Sequence, residues 1–220
     1  EPLSEDSVDT AVRAAEECLA KTSYDRTDIE LLIFAGITRT AYVSEPALAA
    51  MVTGKMKMND VIEDELDKKT FAFDVYNGAM GFLNACQIAS EMIRAGKYRT
   101  AMVVTSEVEL NREMHPEKML GLVETGSAVL LDTTAENRTG FSNFLFHYDC
   151  DQIDLRQATG GYLDGKPCLD LRIDGRLIDE YLKMIPEAVD QILAEEGLDI
   201  SDIDFFLPPQ ISPAMNSKLP

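Results

Sequence analysis

The stretch FDVYNGAMGF, residues 73–82, has the form of a site for a nucleophile, but the residue at its centre carries none. Asn77-Gly78 is a turn signal and the following apolar residues recur at helical spacing, so Ala79 is predicted at or next to a helix start. Unpaired backbone N–H groups and the positive end of the helix dipole meet at such a position. A thiolate or an oxyanion would be stabilised there. Alanine can supply neither, so the pattern predicts a site without its reacting group.

A strand before Ala79 and a helix after it must position this site. Residues 71–75 (FAFDV) are short, apolar, aromatic and β-branched, which predicts a buried strand. From Met80 to Arg94 the apolar side chains follow a helical period, and Gly96 is placed as a stop. A further strand is predicted at residues 100–105. Alternating strands and helices of this kind imply right-handed crossovers and a largely parallel sheet covered by helices.

The other residues that could do chemistry are four cysteines and two histidines, which match no zinc pattern. Cys86 lies two turns into the helix on the side of Ala79, and we expect it, like Cys18, to be a buried, unreactive thiol. His115 lies in a predicted loop, where a surface histidine is the default. His147 alternates with aromatic residues in a strand-like run, which favours half-buried packing. No metal or cofactor is predicted.

Composition and charge exclude some classes of function. A chain of 220 residues with 45% hydrophobic content can bury a large core. The formal net charge of −19 argues against nucleic acid, whose phosphates would be repelled. No basic amino-terminal region precedes an apolar run and no apolar stretch is long enough to cross a bilayer, so we expect a soluble, cytoplasmic protein. An acidic protein partner would need a basic patch, for which the clustered candidates are Lys97, Arg99, Arg112 and Lys118; a solvated face is the alternative.

The chain contains an internal repeat, in which residues 12–36 align with residues 186–210 without a gap. Each copy predicts an amphipathic helix, a short polar turn with an Asp-Ile step, and an apolar strand. Identical pairs include Asp25 with Asp199 and Asp28 with Asp202. Chance similarity between two helix-turn-strand units is the alternative. The first copy continues into a connection, a strand and a helix, whereas the second does not, so we expect the chain to be a piece of a longer protein or its ordered part.

These segments resemble the thiolase-fold condensing enzymes, in particular the β-ketoacyl-acyl-carrier-protein synthase III branch. Besides residues 73–82, the resemblance extends through residues 28–34 (DIELLIF), 44–48 (SEPAL), 102–107 (MVVTSE), 126–130 (GSAVL), 173–175 (IDG) and 207–210 (LPPQ). It implies an α/β, thiolase-like fold with duplicated βαβ halves related by pseudo-twofold symmetry. Residues 1–150 would be the N-terminal half that carries the nucleophile turn, and residues 151–220 the start of an incomplete C-terminal half. The chain would then be truncated at both ends.

In that family a cysteine takes an acyl group from a thioester, and a histidine and an asparagine assist decarboxylation or transfer to a second substrate. The resemblance therefore implies an acyltransferase or condensing enzyme of the 3-oxoacyl-ACP synthase III type in fatty-acid or polyketide-like biosynthesis. Its partners would be an acyl-CoA or acyl carrier protein thioester and a second subunit, either an identical chain or a homologue. The resemblance implies no cofactor.

Carried over residue by residue, the family's cysteine position is Ala79 and its histidine position is Pro209, followed by Gln210 as the family's glutamine. Proline offers neither a proton nor an N–H donor, so we expect this chain to be inactive in covalent catalysis. Three explanations stay open: an engineered replacement of the nucleophile, a natural loss that leaves a silent subunit paired with an active homologue, or acyl transfer without a covalent intermediate. An unrelated α/β binding module is a further alternative.

Two more positions are predicted to contact substrate. Asn77 lies beside the nucleophile turn, where it serves turn geometry or a substrate contact. Tyr42 lies in a loop that, in related dimers, reaches across the interface to close the partner's acyl tunnel; an exposed loop tyrosine is the alternative. Met51, Met56 and Met58 could line an apolar tunnel, although plain core filling is favoured.

Overall fold

A computed structural model describes residues 6–37, 39, 42–60, 69–133, 139–209, 211 and 213–219. The helices are α1 (Ser7–Leu19), α2 (Leu48–Lys55), α3 (Gly81–Arg94), α4 (Leu177–Glu196) and α5 (Pro213–Asn216). The strands are β1 (Leu31–Gly36), β2 (Phe71–Tyr76), β3 (Thr100–Glu107), β4 (Thr125–Asp132), β5 (Arg156–Leu163) and β6 (Lys166–Ile173). Within these described residues, no helix is both long enough and apolar enough to span a membrane.

The chain divides into two compact units. The first comprises Glu1–Gly140 and Tyr162–Cys168, and the second comprises Phe141–Gly161 and Leu169–Pro220. The first unit contains the sheet and helices around Ala79, and the second contains α4 and the segment that follows it.

The first unit is built on a four-stranded sheet in the order β2-β1-β3-β4. β1 pairs in parallel with both β2 and β3, and β4 pairs antiparallel with β3. α1 and α2 pack over one face of the sheet, whereas α3 packs against β1 and β3 on the other. Every residue of β1 is buried, because a central parallel strand is covered by helices on both faces. The predicted α/β fold with a largely parallel sheet is confirmed.

The elements around Ala79 follow the sequence pattern except for the burial of β2. α3 ends as predicted, with Gly96 in the left-handed region at φ +67° and its N–H donating to the Ile93 carbonyl. The predicted full burial of β2 is wrong, since Phe71 is 50% exposed. β2 is an edge strand, and a strand at the edge of a sheet buries less than a central one.

The methionines near α2 belong to the hydrophobic core. Met56 and Met58 are buried in the cluster formed by α1, α2 and one face of the sheet, and Met51 packs against that cluster. Thioethers adapt to irregular gaps between a helix and a sheet. The favoured interpretation, core filling, is therefore confirmed.

In the second unit the main element is α4, which ends at Gly197 with φ +66°. Before it, β5 and β6 form a two-stranded sheet joined at Asp164-Gly165, whose φ angles are +51° and +76°. Two successive left-handed residues at an Asp-Gly pair match the twist of a tight hairpin. The tip of this hairpin belongs to the first unit, and the rest belongs to the second.

The two copies of the repeat build the same local turn but not the same strand. A short 3-10 turn follows the helix in each copy, closed by a capping box between Asp25 and Asp28 and between Asp199 and Asp202. The apolar strand predicted at the end of the second copy is wrong, because the segment after its turn forms no strand in the described structure. Its apolar side chains are instead open to solvent, with Phe205 85% and Leu207 89% exposed.

The aromatic run at residues 141–148 is not a strand either. Its polar side chains bond to α4, with Asn143 Nδ2 donating to Glu195 and His147 Nε2 lying 3.0 Å from Gln191 Oε1. His147 is exposed, so the expected half-buried position is wrong. The alternation of aromatic residues indicated a strand. In the structure this run forms no backbone ladder, and its polar side chains bond to side chains of α4 instead.

Candidate functional site

Ala79 lies in a tight turn between β2 and α3, as the sequence predicted. Residues Gly78–Met80 form a single 3-10 turn, and the Met80 N–H donates to the Asn77 carbonyl at 3.0 Å. Gly78 has φ +51°, a conformation that residues with a Cβ adopt at a cost. Asn77 Nδ2 donates to Asn84 Oδ1 of α3 at 2.7 Å, which ties the turn to the helix that follows. Asn77 therefore serves turn geometry, and its substrate contact stays a prediction.

Gly81 allows α3 to start directly against the sheet. A Cβ at this position would lie 3.3 Å from the Val75 carbonyl oxygen and 3.7 Å from that of Gly36. Such a contact with backbone is tighter than most real Cβ contacts, so a side chain would push the helix away from β1 and β2. Glycine at residue 81 thus fixes how closely the turn approaches the ends of these strands.

The electrostatics of the turn favour a negative group beside Ala79. α3 is 14 residues long, and its first turn has neither an acidic residue nor a side-chain cap. The positive end of the helix dipole is therefore not offset by the helix's own side chains. Ala79 itself is exposed. A thiolate or an oxyanion at this position would be stabilised, but the methyl group of Ala79 takes no part in such chemistry.

Cys86 does not replace the missing nucleophile. It is fully buried in α3, and burial raises the pKa of its thiol to about 11. Only the thiolate is a good nucleophile, so this side chain stays protonated and inert near neutral pH. The prediction that Cys86 is buried is confirmed, and its lack of reactivity stays a prediction. Cys18 is half-buried against the same unit's core.

Asp74 links the strand before the turn to the segment between β1 and α2. Its side chain is 5% exposed, and it pairs with Arg39 at 2.9 Å between Oδ2 and Nη2. Oδ2 also accepts from the Leu48 N–H at 2.9 Å, and Oδ1 accepts from the Ala49 N–H at 2.8 Å. These are the first two amides of α2, which has no side-chain cap of its own at Ala47. One carboxylate thus caps α2 and anchors Arg39, at the two ends of this segment.

Tyr42 lies within the same segment, and its side chain hydrogen-bonds to a residue of the same chain. It has φ +58°, which is unusual for a bulky residue, and its hydroxyl donates to Asn111 Oδ1 at 3.3 Å. Burial raises the pKa of Tyr42, and its neighbours Cys168 and Glu109 raise it further. Strained backbone of this kind persists only where surrounding contacts enforce it. The proposed role of Tyr42 in a partner's acyl tunnel stays a prediction.

The connection between β3 and β4 has a polar interior around Asn111. Asn111 is fully buried, and its Nδ2 donates to the Lys118 carbonyl at 2.6 Å. The Glu109 carboxylate accepts from the Asn111 N–H at 3.3 Å and from the Gly121 N–H at 3.0 Å. His115 is also buried, so the expected surface histidine is wrong. The backbone N–H of His115 donates to the backbone carbonyl of Asn111 at 2.7 Å.

Pro209 lies in the second unit, near the end of the second repeat copy, and is exposed. Its carbonyl accepts from the Ile211 N–H at 3.0 Å. Gln210, the predicted family glutamine, lies outside the described residues. Within the described part of the chain, no group of three or more His, Cys, Asp or Glu side chains is arranged to hold a metal ion.

The four clustered basic residues do not form one patch. Lys97 and Arg99 precede β3, whereas Arg112 and Lys118 follow it, and this eight-residue strand is about 25 Å long. Arg99 is also engaged, with its Nε 2.9 Å from Glu30 Oε1, and Arg112 Nη2 lies 3.0 Å from Glu124 Oε1. Closeness in sequence suggested a docking patch, but the two pairs lie beyond opposite ends of β3.

Asp74 and Arg39 were missed as site residues by the sequence interpretation. The signal was present, since Asp74 is the one charged residue in the apolar run of β2, residues 71–76. A buried carboxylate is kept only with partners, so such a residue predicts a cation or a helix start nearby. Its actual partners lie far away in sequence, and only the parallel pairing of β1 with β2 brings them close.

Residues 73–150 match the family model for 3-Oxoacyl-[acyl-carrier-protein (ACP)] synthase III. The beta-ketoacyl-[acyl-carrier-protein] synthase III of Acholeplasma laidlawii is 27% identical over 212 residues, which cover 94% of this chain and 61% of that protein. The chain thus spans less than two thirds of the length of the curated relatives that it matches.

Two solved structures have the same architecture. The synthase III of Aquifex aeolicus matches with a TM-score of 0.76 at 21% identity, over 99% of this chain and 65% of that one. Xanthomonas campestris OleA with bound lauric acid and lauroyl-CoA matches with a TM-score of 0.78 at 20% identity, over 98% of this chain and 65% of that one. The chain therefore has the thiolase-like fold of the condensing enzymes. Within that fold, its sequence is similar to the β-ketoacyl-acyl-carrier-protein synthase III branch.

Proposed function

We propose that this protein binds acyl thioesters at the turn that contains Ala79. The reaction class is acyl transfer or condensation of the 3-oxoacyl-ACP synthase III type, in cytoplasmic fatty-acid or polyketide-like biosynthesis. One observation carries the proposal: the turn has the left-handed Gly78, the close approach at Gly81 and the uncapped start of α3 that a thioester nucleophile needs. The acyl donor would be an acyl-CoA or an acyl carrier protein, in keeping with the names of the similar proteins.

With Ala79 at the centre of the turn, the protein would hold the acyl group without forming a covalent bond to it. The helix start still offers a positive field for the thioester carbonyl oxygen. Ala79, however, has no group that could attack the carbonyl carbon and release the thiol of coenzyme A or of the carrier protein. Pro209, at the proposed histidine position, supplies no proton either. We therefore expect no covalent acyl intermediate on the chain as it stands.

A second candidate is a catalytically silent subunit that pairs with an identical chain or with an active homologue. It is favoured by apolar side chains at the free edge of the sheet and beside the turn: Phe71 is 50% exposed on the edge strand β2, and Met80 and Leu83 are exposed beside Ala79. Apolar surface next to an unpaired strand edge is typical of a protein interface. Co-expression with a homologue that carries cysteine and histidine at the two positions would test it, by whether the two chains co-purify and whether activity depends on both.

We also propose that residues 1–150 form the N-terminal half and that residues 151–220 begin the C-terminal half. The capping boxes at Asp25 and Asp199 support a duplication, because both copies close the same turn with the same pair of residue types. The compact units divide after Gly140 rather than after residue 150, and the tip of the β5–β6 hairpin groups with the first unit.

The deciding experiment restores the nucleophile. Ala79→Cys in the full-length protein is incubated with acyl-CoA thioesters of increasing chain length, and intact-protein mass spectrometry measures the acyl group gained. We expect a mass gain that appears in the variant and is absent from the unmodified protein. The chain lengths accepted would then define the substrate class.

A matched control separates the turn from general thiol reactivity. Leu83→Cys places an exposed cysteine within α3, one turn beyond Ala79 and outside the 3-10 turn. Acylation of Ala79→Cys but not of Leu83→Cys would support the site. Equal acylation of both variants, or none while an active synthase III reacts, would contradict the acyl-thioester function and leave the silent subunit as the better hypothesis.

Tyr42 and Asn77 are proposed substrate contacts within this function. Tyr42→Ala is expected to weaken binding of a long acyl-CoA and to weaken subunit association, because the proposed role closes the partner's acyl tunnel. Titration calorimetry and analytical ultracentrifugation measure the two effects. If both stay as in the unmodified protein, Tyr42 is only a loop residue held by Asn111.

A further inference from the structure

Tyr42 is the strained point of the segment between β1 and α2. Its φ is +58°, and a bulky residue enters this left-handed region only at a cost in free energy. The backbone N–H of Tyr42 donates to the Arg39 carbonyl at 3.3 Å, which closes a turn with the strained residue at its end. Such a conformation persists only where other contacts of the residue offset its cost.

One contact that offsets it is the hydrogen bond from the Tyr42 hydroxyl to Asn111 Oδ1. At 3.3 Å this bond is longer than the usual O–H···O distance of about 2.5–3.0 Å. The net contribution of an ordinary hydrogen bond is similar in size to the cost of one left-handed residue. The observed position of Tyr42 is therefore favoured only slightly over a position in which the bond is broken.

Asn111 is the fixed partner in this bond. It is fully buried, its Nδ2 donates to the Lys118 carbonyl at 2.6 Å, and its backbone N–H donates to the Glu109 carboxylate at 3.3 Å. Tyr42 is only half-buried. When the bond breaks, Tyr42 is thus the residue that moves.

Asp74 fixes the segment on both sides of Tyr42. It pairs with Arg39 before Tyr42, and it accepts from the Leu48 and Ala49 N–H groups after it. A few loop residues between fixed points absorb a change of backbone conformation without moving the elements on either side. Tyr42 can therefore leave Asn111 while β1 and α2 stay in place.

We propose that the Tyr42–Asn111 hydrogen bond is a latch, which holds Tyr42 on its own chain until a second subunit and a long acyl group take up its ring. This inference rests on the function proposed above, in which Tyr42 closes the acyl tunnel of a partner. A ring held beside Asn111 cannot also fill a tunnel in another subunit, so the bond has to break first. Burial of the ring in the tunnel then replaces the lost bond. The latch thus opposes long-chain binding and subunit association, and the acyl group and the partner overcome it together.

Tyr42→Phe tests the latch, because it removes the hydroxyl and keeps the ring. The released state becomes more populated, so this variant should bind dodecanoyl-CoA about two- to fivefold more tightly than the unmodified protein. The upper value is the effect of one ordinary hydrogen bond. Tyr42→Ala lacks the ring and should bind dodecanoyl-CoA more weakly. Titration calorimetry with the full-length protein measures binding, and sedimentation velocity measures subunit association, which should follow the same order.

Two controls separate the latch from a merely structural role of the hydroxyl. Butyryl-CoA, whose acyl chain is too short to fill a tunnel, should bind equally to the unmodified protein and to Tyr42→Phe. Tyr24→Phe removes another hydroxyl of the first unit, which donates to Asp132 Oδ2 at 2.6 Å, and should leave the affinity for dodecanoyl-CoA unchanged. Without any ligand, trypsin should cleave after Arg39 up to about fivefold faster in Tyr42→Phe and at the original rate in Tyr24→Phe.

The outcomes separate the latch from the proposed function. If the unmodified protein binds dodecanoyl-CoA and Tyr42→Phe binds it equally or more weakly, the latch is overturned and the acyl-thioester function is left intact. Tighter binding of both thioesters by Tyr42→Phe would also overturn the latch, since the gain would not depend on a long chain. No binding of either thioester to any of these proteins would overturn the proposed function, and the latch with it.

Discussion

Replacing Asp74 by alanine removes the acceptor that caps α2 and anchors Arg39 at the same time. The Leu48 and Ala49 N–H groups, at 2.9 and 2.8 Å from the carboxylate, would lose their partner. Arg39 would lose its ion pair next to the Tyr76 ring. The free energy of unfolding should therefore fall, and the segment between β1 and α2 should become easier to detach from the sheet.

The size of the effect follows from these contacts. Loss of a helix cap costs about 1 kcal/mol. Removing one partner of a fully buried ion pair costs about 3–5 kcal/mol, but Arg39 is 28% exposed and can rehydrate, which reduces this part to about 1–2 kcal/mol. The sum is about 2–3 kcal/mol, or a lowering of the melting temperature by roughly 4–12 °C for a chain of this size. Asp74→Asn keeps an acceptor oxygen and should lose about half as much.

Urea unfolding followed by circular dichroism measures the free energy, and limited trypsin digestion measures the local effect. Arg39 is itself a trypsin site, so cleavage after it should become faster in Asp74→Ala. Glu91→Ala is the matched control, because it removes an exposed ion pair within α3, with Arg94 Nη1 2.8 Å from Glu91 Oε1. That control should lose about 0.5 kcal/mol or less and leave cleavage at Arg39 unchanged.

A loss in Asp74→Ala no larger than that of the control, together with unchanged cleavage at Arg39, would refute this account of Asp74. Water would then hydrogen-bond to the freed N–H groups and to Arg39 as well as the carboxylate does. A large loss of stability without faster cleavage would support the role of Asp74 as the cap of α2 and contradict its role in anchoring Arg39.

The remaining predictions concern packing and ionisation in the first unit. Gly126→Ala would place a Cβ 2.7 Å from the Thr10 carbonyl oxygen, so the unfolding free energy should fall by about 1–3 kcal/mol. Gly54→Ala, whose Cβ would meet nothing within 4 Å, should be neutral or stabilising in the same urea titration, and equal losses would contradict the packing argument. Because burial raises the pKa of the Cys86 thiol to about 11, the unfolded thiol ionises first, and stability should fall as the pH rises from 9 to 11, by up to about 3 kcal/mol from this group. Cys86→Ala should show a flatter pH dependence, and parallel curves for both proteins would show that this thiol does not titrate differently on unfolding.

Local patterns were sufficient to predict the turn, the helix and the parallel sheet. Asn77-Gly78 marks the turn, and the helical period after Met80 ends where Gly96 stops it. These features depend on residues that are neighbours in sequence, so a single chain contains the information. The absence of a nucleophile at Ala79 was visible for the same reason.

Features that depend on distant neighbours could not be predicted. The exposure of Phe71, for example, follows from the order of the strands in the sheet. Arg39 and Asp74 meet only because β1 and β2 lie side by side. No periodicity within either segment encodes such a pairing.

The second repeat copy can form only a shorter strand than the first. The repeat aligns Pro208 and Pro209 with Phe34 and Ala35, two residues at which β1 is paired with β2 and β3 on either side. Proline has no N–H to donate, so a strand built from the second copy has to stop about two residues, or roughly 7 Å, earlier than β1. The two copies are therefore not interchangeable parts. A chimaera with residues 203–210 in place of residues 29–36 would therefore lose ladder bonds in the middle of the sheet.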